Sequence, residues 1–199
     1  YLTDDALEWQ LSHWQKHLQH APALLILPTA RPRPSVQTTN GNVKGLQFSP
    51  EFNQKLTQFA REQGVTPFMV MLLSWKLLLS KYSQQDSISV GIPTAGRPQQ
   101  ALENIIGFFI NSMVLNTELP GSLSITEALQ RVRESVLGGF ANADVPVDMV
   151  LDLLQVERNP SYTPLAQVAF HLNTVDTASS EQESLAAEFG GLSVEPLSL

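Results

Sequence analysis

Four histidines and a set of spaced carboxylates are the residues with the most obvious capacity for chemistry in this 199-residue chain, which contains no cysteine. His13 and His17 stand four apart, with His20 close behind. On a helix that spacing gathers imidazoles on one side and makes a metal site geometrically possible. No carboxylate joins them in the pattern of a zinc-dependent hydrolase, and Lys16 lies between them, so a solvated helix face is the more economical reading. His171 sits alone in an apolar run, the setting of a core or edge histidine rather than a general base. Asp144, Asp148 and Asp152 recur at intervals of four. Asp148 and Asp152 would share a helix face, and an exposed charged face explains them more simply than an acid–base pair. There is no Gly-x-Ser-x-Gly elbow and no Walker or Rossmann glycine pattern; Gly138-Gly139 falls in a helical stretch and Gly190-Gly191 in a turn. Side-chain chemistry alone yields no complete catalytic set and no metal site.

The elements that would position these groups are legible. Thr3 caps a helix running to about His20, with Leu7, Leu11, Trp14 and Leu18 on one stripe. Pro28 to Ser35 is too rich in proline for a helix and crosses a surface in extended form. Residues 36–42 read as loop and Lys44 to Phe48 as a short strand. Ser49-Pro50 opens a helix with Phe52, Leu56 and Phe59 as its apolar stripe and Gly64 as its stop. Thr66-Pro67 opens another to about Tyr82, apolar on nearly every side and therefore buried. Ser87 to Ile92 alternates as a strand stopped by Pro93, and Gly107 to Leu119 is the longest strand candidate. Ser124 and Glu127 form a capping box for a helix bearing Ile125, Leu129, Val132, Val136 and Phe140. Pro146 opens a short helix through Leu154, Ala166 to Leu172 alternates as a strand, Thr174 to Ser184 reads as a mobile loop, and Leu192 to Glu195 is a last strand fragment. Strands interspersed with long helices make the chain α/β or α+β.

Composition sets outer limits. With 12 Lys+Arg against 19 Asp+Glu the net charge is −7, which argues against a nucleic-acid backbone binder. A hydrophobic content of 43% places the chain among globular proteins. The most apolar stretch, Phe68 to Leu79, is broken by Ser74 and Lys76 and is too short to span a membrane. The absence of cysteine excludes a disulfide scaffold and thiolate metal sites, and fits a cytoplasmic location.

Four stretches in fixed order resemble motifs of the condensation domains of nonribosomal peptide synthetases. Asp86 to Arg97 (DSISVGIPTAGR) is similar to the family's D-x-I-x-V-G-x-P-x-A-x-R passage, and Ile106 to Leu115 (IGFFINSMVL) to its I-G-x-F-V-N-T-x-x-L motif. Phe140 to Asp148 (FANADVPVD) matches H-Q-D-x-P-F-E in frame, and Glu157 to Ser161 with Pro164 to Gln167 resembles E-R-D-x-S…P-L-F-Q. A Trp-bearing helix followed by Leu-Pro-Thr-Ala-Arg-Pro-Arg-Pro fits the family's linker, so the resemblance covers nearly the whole chain. It departs at Asn116, where the family usually has Arg, at Asn142 and Ala143 for His and Gln, at Val147-Asp148 for Phe-Glu, and at Asn159 for Asp. The subtype (elongating, starter, hybrid, cyclisation or epimerisation) and the substrates are left open.

The resemblance implies a chloramphenicol-acetyltransferase-like fold, an α/β (α+β sandwich) lobe with a mixed sheet flanked by helices. It implies amide formation between a carrier-tethered acyl or peptidyl donor and an aminoacyl acceptor. The family's HHxxxDG motif lies upstream and no His-His pair occurs here, so the expectation is a second lobe truncated at both ends, without a catalytic residue of its own and inactive alone. Residues 1–35 would be a helix and linker from the first lobe, and 36–199 the acyltransferase-like lobe. Gly107, Phe108, Asn111 and Ser112 are expected in the wall of a substrate tunnel, Asn111 alternatively as a buried amide serving loop backbone. Arg97 is expected to pair with a carboxylate across the lobe and Asp144 to hold a loop–helix junction, with Pro146 and Arg158 as structural motif positions. Implied partners are the first lobe, an adjacent adenylation domain, and donor and acceptor carriers with their phosphopantetheine arms; no cofactor is expected to bind directly. Self-association through the uncovered lobe face is a further expectation. A non-catalytic docking module and another acyltransferase of the same superfamily are the alternatives.

Overall fold

A computed structural model of the chain describes residues 3–97, 99–102 and 104–173. Its helices begin where the cap chemistry sets them. Helix α1, Asp4–Leu18, follows Thr3 in extended conformation and carries Asp4 and Asp5 at its positive end. Helix α2, Pro50–Glu62, starts at Ser49, whose hydroxyl accepts from the Phe52 N–H at 3.3 Å, and ends just before Gly64, where φ is +66°. Helix α3, Pro67–Ser83, is capped in the same way by Thr66. Helix α4, Ile125–Ala141, has both halves of the capping box: the Glu127 N–H donates to Ser124 Oγ, and Glu127 Oε2 accepts from the Ser124 N–H at 2.8 Å. Helix α5, Val147–Leu153, follows Pro146.

Two strands, β1 (Ser87–Thr94) and β2 (Asn111–Glu118), pair antiparallel from Ser87↔Glu118 to Thr94↔Asn111. Strand β1 runs through Pro93 instead of stopping there. Gly91 turns its N–H and C=O away from β2, to Val168 and Phe170. Pro93, two residues on, shares that orientation, so its missing N–H removes no bond from the β1–β2 ladder. The contact on that second edge is a single parallel bridge, Gly91↔Ala169. The helix-flanked α/β class is as expected, but among the described residues the sheet is a two-stranded antiparallel one rather than mixed.

Other boundaries differ from the sequence reading. The strand expected over Ala166–Leu172 reduces to that single bridge, because Leu165 enters it with φ at +61°. Lys44–Phe48 forms no ladder; Val43 and Leu46 stand exposed with no strand edge beside them among the described residues. Strand β2 begins at Asn111, and Gly107–Ile110 before it is an irregular, largely exposed segment. Thr174–Ser184 and Leu192–Glu195 lie outside the described residues.

Helix α3 packs on β1, α4 packs on β2 and on α3, and α5 joins β2 to α1. Because neighbours cover both faces of the hairpin, Met113 to Thr117 are buried without alternation. The α4 stripe also differs from expectation: Ile125 and Phe140 are exposed, whereas Ala128, Ser135 and Gly139 are buried. Small residues hold these positions because neighbours come very close. A Cβ on Gly139 would lie 2.5 Å from Leu115 Cδ2, and one on Gly138 would lie 2.9 Å from His13 Cε1. The glycine pair is a notch into which β2 and α1 both press. Trp14 sits at that junction, 2% exposed, its indole N–H donating to the Asn142 carbonyl at 2.8 Å.

Candidate functional site

Of the expected site residues, Asn111, Ser112, Asp144 and Pro146 meet where β2 begins. Asn111 donates through Nδ2 to the carbonyls of Ala143 at 3.0 Å and Val145 at 2.9 Å, while its Oδ1 accepts from the Ser112 N–H at 2.9 Å. The whole amide is thus engaged in tying the strand to the connection between α4 and α5. Asp144 lies between those two carbonyls and accepts from Gln10 Nε2 of α1 at 3.3 Å. Pro146 then starts α5. One connection is held by a strand and a helix at once, which fixes the floor of this corner.

Two cavities open beside it. The first, about 570 Å³, is lined by Gly96, Phe108, Phe109, Asn111, Asp144 and Pro146, among others. The second, about 850 Å³, runs between the hairpin, α5 and residues 158–169, and its walls include Ser112, Met113, Val147, Leu151 and Val168. Phe108 and Asn111 therefore border one cavity and Ser112 the other. Gly107 borders neither; it belongs to the exposed approach segment.

That approach is held by a turn at Gly96-Arg97. Gly96 has φ +64°, and a Cβ there would fall 1.7 Å from the Phe109 carbonyl oxygen, so only glycine fits. Arg97 donates to the carbonyls of Leu102 and, at 3.5 Å, Gly107, and its guanidinium lies 4.1 Å from the centre of the Phe109 ring. Its observed bonds serve the loop that delivers β2. Held this way, Ile105, Ile106, Phe108 and Ile110 present an exposed apolar edge beside the first cavity. Arg158 reaches Asp152 at 3.2 Å and Asp148 at 3.8 Å on the solvent side of α5, so these two aspartates do share a charged exposed face.

The histidines behave differently from the solvated face expected of them. His20 is exposed, but His13 and His17 are half-buried against α4 and β2, with rings stacked 5.8 Å apart. His17 Nε2 accepts from the Asn116 N–H at 3.1 Å, which fixes the neutral tautomer protonated at Nδ1. Burial, then the neighbouring His13 and Lys76, push its pKa down to about 4. Ser135 Oγ stands 3.4 Å from His17 Nε2, yet its proton goes to the Asn116 carbonyl at 3.0 Å. Both atoms of an apparent Ser–His pair are committed to backbone, so it is no nucleophile. Periodicity missed this because small α4 residues admit the imidazoles. His171 is exposed beside Asn173. Among the described residues, no three His, Asp or Glu side chains stand where they could hold a metal ion.

Two further residues, named in the sequence reading only as a motif departure and a break in an apolar run, hold buried positions it did not assign. Asn116 is buried, and its Oδ1 accepts from Ser87 Oγ at 3.0 Å and Ser89 Oγ at 3.2 Å. Lys76 is wholly buried. Its spacing from Leu72, Leu73 and Leu79 places it on the inward side of α3, a signal the sequence contained.

The described residues form a helix-flanked α/β unit with shaped apolar cavities beside a corner tied by Asn111. A family model described as "Condensation domain" matches residues 1–198, and the chain belongs to that family. It is 45% identical over 175 residues to one of the subunits of linear gramicidin synthase from Brevibacillus parabrevis, covering 88% of this chain and 3% of the relative. It is 35% identical over 199 residues to malpinin synthetase of Mortierella alpina, covering all of this chain and 2% of the relative. Among solved structures, it superposes on a four-domain nonribosomal peptide synthetase bound to AMP and glycine with a TM-score of 0.85 at 24% identity, over 92% of this chain and 14% of that one. The X-domain from teicoplanin biosynthesis gives 0.78 at 23%, over 84% and 37%. These likenesses show the fold. Among the described residues, no helix is long and apolar enough to cross a membrane.

Proposed function

We propose that this chain is the second lobe of a condensation domain within a nonribosomal peptide synthetase. There it helps join a carrier-tethered acyl or peptidyl donor to an aminoacyl acceptor. The observation that carries this reading is the family match running from residue 1 to 198. In the reaction the acceptor amine attacks the donor thioester carbonyl. A C–N bond forms, the C–S bond breaks, and the amine proton ends on the departing thiol. Among the described residues at this corner the polar groups are spent on holding loops, which supports a role for the lobe in shaping the path and excluding water, with proton transfer falling to the partner lobe. The second cavity, walled by Met113, Val147, Leu151 and Val168 with Ser112 as a sparse polar group, suits a thioester arm and an apolar acyl group. Phosphopantetheine arms of the donor and acceptor carriers are the vehicles that would present them.

Phe108, Asn111 and Ser112 would serve as the wall, with Asn111 as a positioning residue, and Gly107 belongs to the segment leading to it; Arg97, Asp144, Pro146 and Arg158 would hold the frame around them. The apolar edge at Ile105, Ile106, Phe108 and Ile110 would face the first lobe, and an adenylation domain would adjoin in the same synthetase. The test is single-turnover amide formation by the full synthetase with both carriers loaded. Asn111→Ala should slow product formation at least tenfold with adenylation and carrier loading unchanged. Unaltered amide formation, with the variant folded, would overturn the reading in favour of a docking role.

A further inference from the structure

Lys76 has no role in the corner described above, yet it is the largest side chain among the fully buried ones. It extends from α3 to both strands of the hairpin. Its Nζ lies 2.7 Å from the Leu115 carbonyl, 2.7 Å from Thr117 Oγ1 and 3.3 Å from the Ile88 carbonyl. Ile88 and Thr117 face each other across the ladder, so the nitrogen clips the hairpin at one rung. None of the three acceptors carries a charge, and no carboxylate lies within ion-pair distance of Nζ among the described residues.

A buried amine must be satisfied in whichever protonation state it adopts. An ammonium has three N–H groups for these three oxygens. A neutral amine has two, which can serve the Leu115 and Ile88 carbonyls, and a lone pair that needs a donor. Thr117 is the one partner able to reverse its part, because a hydroxyl both accepts and donates. Rotated about its C–O bond, it would donate into the nitrogen lone pair and leave no group orphaned. Two carbonyls and a hydroxyl therefore accommodate both forms, which three carbonyls would not.

We propose that Lys76 and Thr117 form a proton-switched latch between α3 and the β1–β2 hairpin, the hydroxyl turning from acceptor to donor as the ammonium releases its proton to solvent base. Burial without a counter-charge places this exchange near neutrality, the pKa being lowered to about 7. The titratable neighbour is His17 of α1, itself depressed to about 4 and uncharged where the latch works. From β1 and β2 the latch meets only carbonyls and the hydroxyl, and neither α2 nor α4 supplies a carboxylate to pair with Nζ.

The test follows the side-chain carbon resonances of Lys76 and Thr117 by NMR across pH 5–11 in the intact chain. Lys76 should titrate near 7, and Thr117 should shift with the same midpoint. Thr117→Ser should keep that midpoint. Thr117→Val should lower it, since the ammonium loses a stronger bond than the amine does. From pH 7 to 10 the unfolded state binds the Lys76 proton and the native state does not, so this residue should raise the folding constant by up to about tenfold per pH unit. Lys76→Met should remove that rise. A Lys76 midpoint above 10, a Thr117 signal indifferent to Lys76, or an unchanged pH dependence in a folded Lys76→Met variant would each overturn the latch.

Discussion

Lys76, Asn116, His17 and Ser135 on one side of the molecule and Asn111, Arg97 and Asp144 at the rim are all engaged, but to opposite ends. Inside, Lys76, Asn116, His17 and Ser135 meet backbone and hydroxyl partners across α1, α3, α4 and the hairpin, and at the wholly buried Lys76 solvent cannot substitute for a lost partner. At the rim, Asn111, Arg97 and Asp144 hold loops in place and leave apolar edges uncovered beside the cavities. Interior polarity fixes one arrangement of elements, whereas rim polarity presents a surface.

The sharpest break between the two regions is an aromatic truncation in each. Trp14→Ala removes a 2%-exposed ring from the α1–α4–β2 junction and orphans the Asn142 carbonyl. It should cost about 3–5 kcal/mol, read as a lowered urea midpoint. Phe108→Ala removes a ring that is 89% exposed. It should leave that midpoint nearly unmoved while reducing concentration-dependent self-association in light scattering. A large stability loss from Phe108→Ala would erase the distinction.

Gly96→Ala should be the most damaging small change at the rim. It adds left-handed strain of about 1–2 kcal/mol to a contact with the Phe109 carbonyl that cannot be relieved by a rotamer. Amide exchange should accelerate through residues 95–110 while α3 and α4 keep their protection. Faster exchange in α3 would mean that rim and interior are one cooperative unit.

The interior has an acid limit set by His17. Its folded pKa of about 4 lies below the ordinary 6.5, so the unfolded chain takes up this proton first as pH falls. The stability at stake is fully present above pH 6.5 and is lost progressively between 6.5 and 4, on the order of 2–3 kcal/mol in all. His17→Gln should flatten that part of the stability–pH curve. An equally steep curve in the variant would shift the acid sensitivity to other groups.

Helix starts and the hairpin were readable because each has a local signature: Ser49, Thr66 and Ser124 before their helices, and alternation from Ser87. What stayed hidden depends on partners distant in sequence. Nothing near His13 or His17 announces that Gly138 and Ser135, over a hundred residues away, leave room for imidazoles. The motif containing Asn111 marked the site, but whether its amide faced substrate or backbone turned on the Ala143 and Val145 carbonyls. The strand expected over Lys44–Phe48 failed for a related reason, since alternation gives a segment a face but not an edge to pair with.

Arg158 gives the finest discrimination between a group that holds the frame and one that merely decorates it. Its guanidinium spans Asp148 and Asp152, but both partners are mostly exposed, and solvent and salt screen such pairs. Arg158→Ala should therefore cost under about 1 kcal/mol, and the cost should shrink further in 0.5 M salt. The residue also lines the larger cavity, where its aliphatic stem adds to the wall. Arg158→Met keeps much of that stem and discards the charge. If Met restores amide formation by the full synthetase and Ala does not, the wall needs the stem; if both variants fail alike with stability intact, the charge belongs to the path itself, and the rim is less purely a matter of shape than its other polar groups make it.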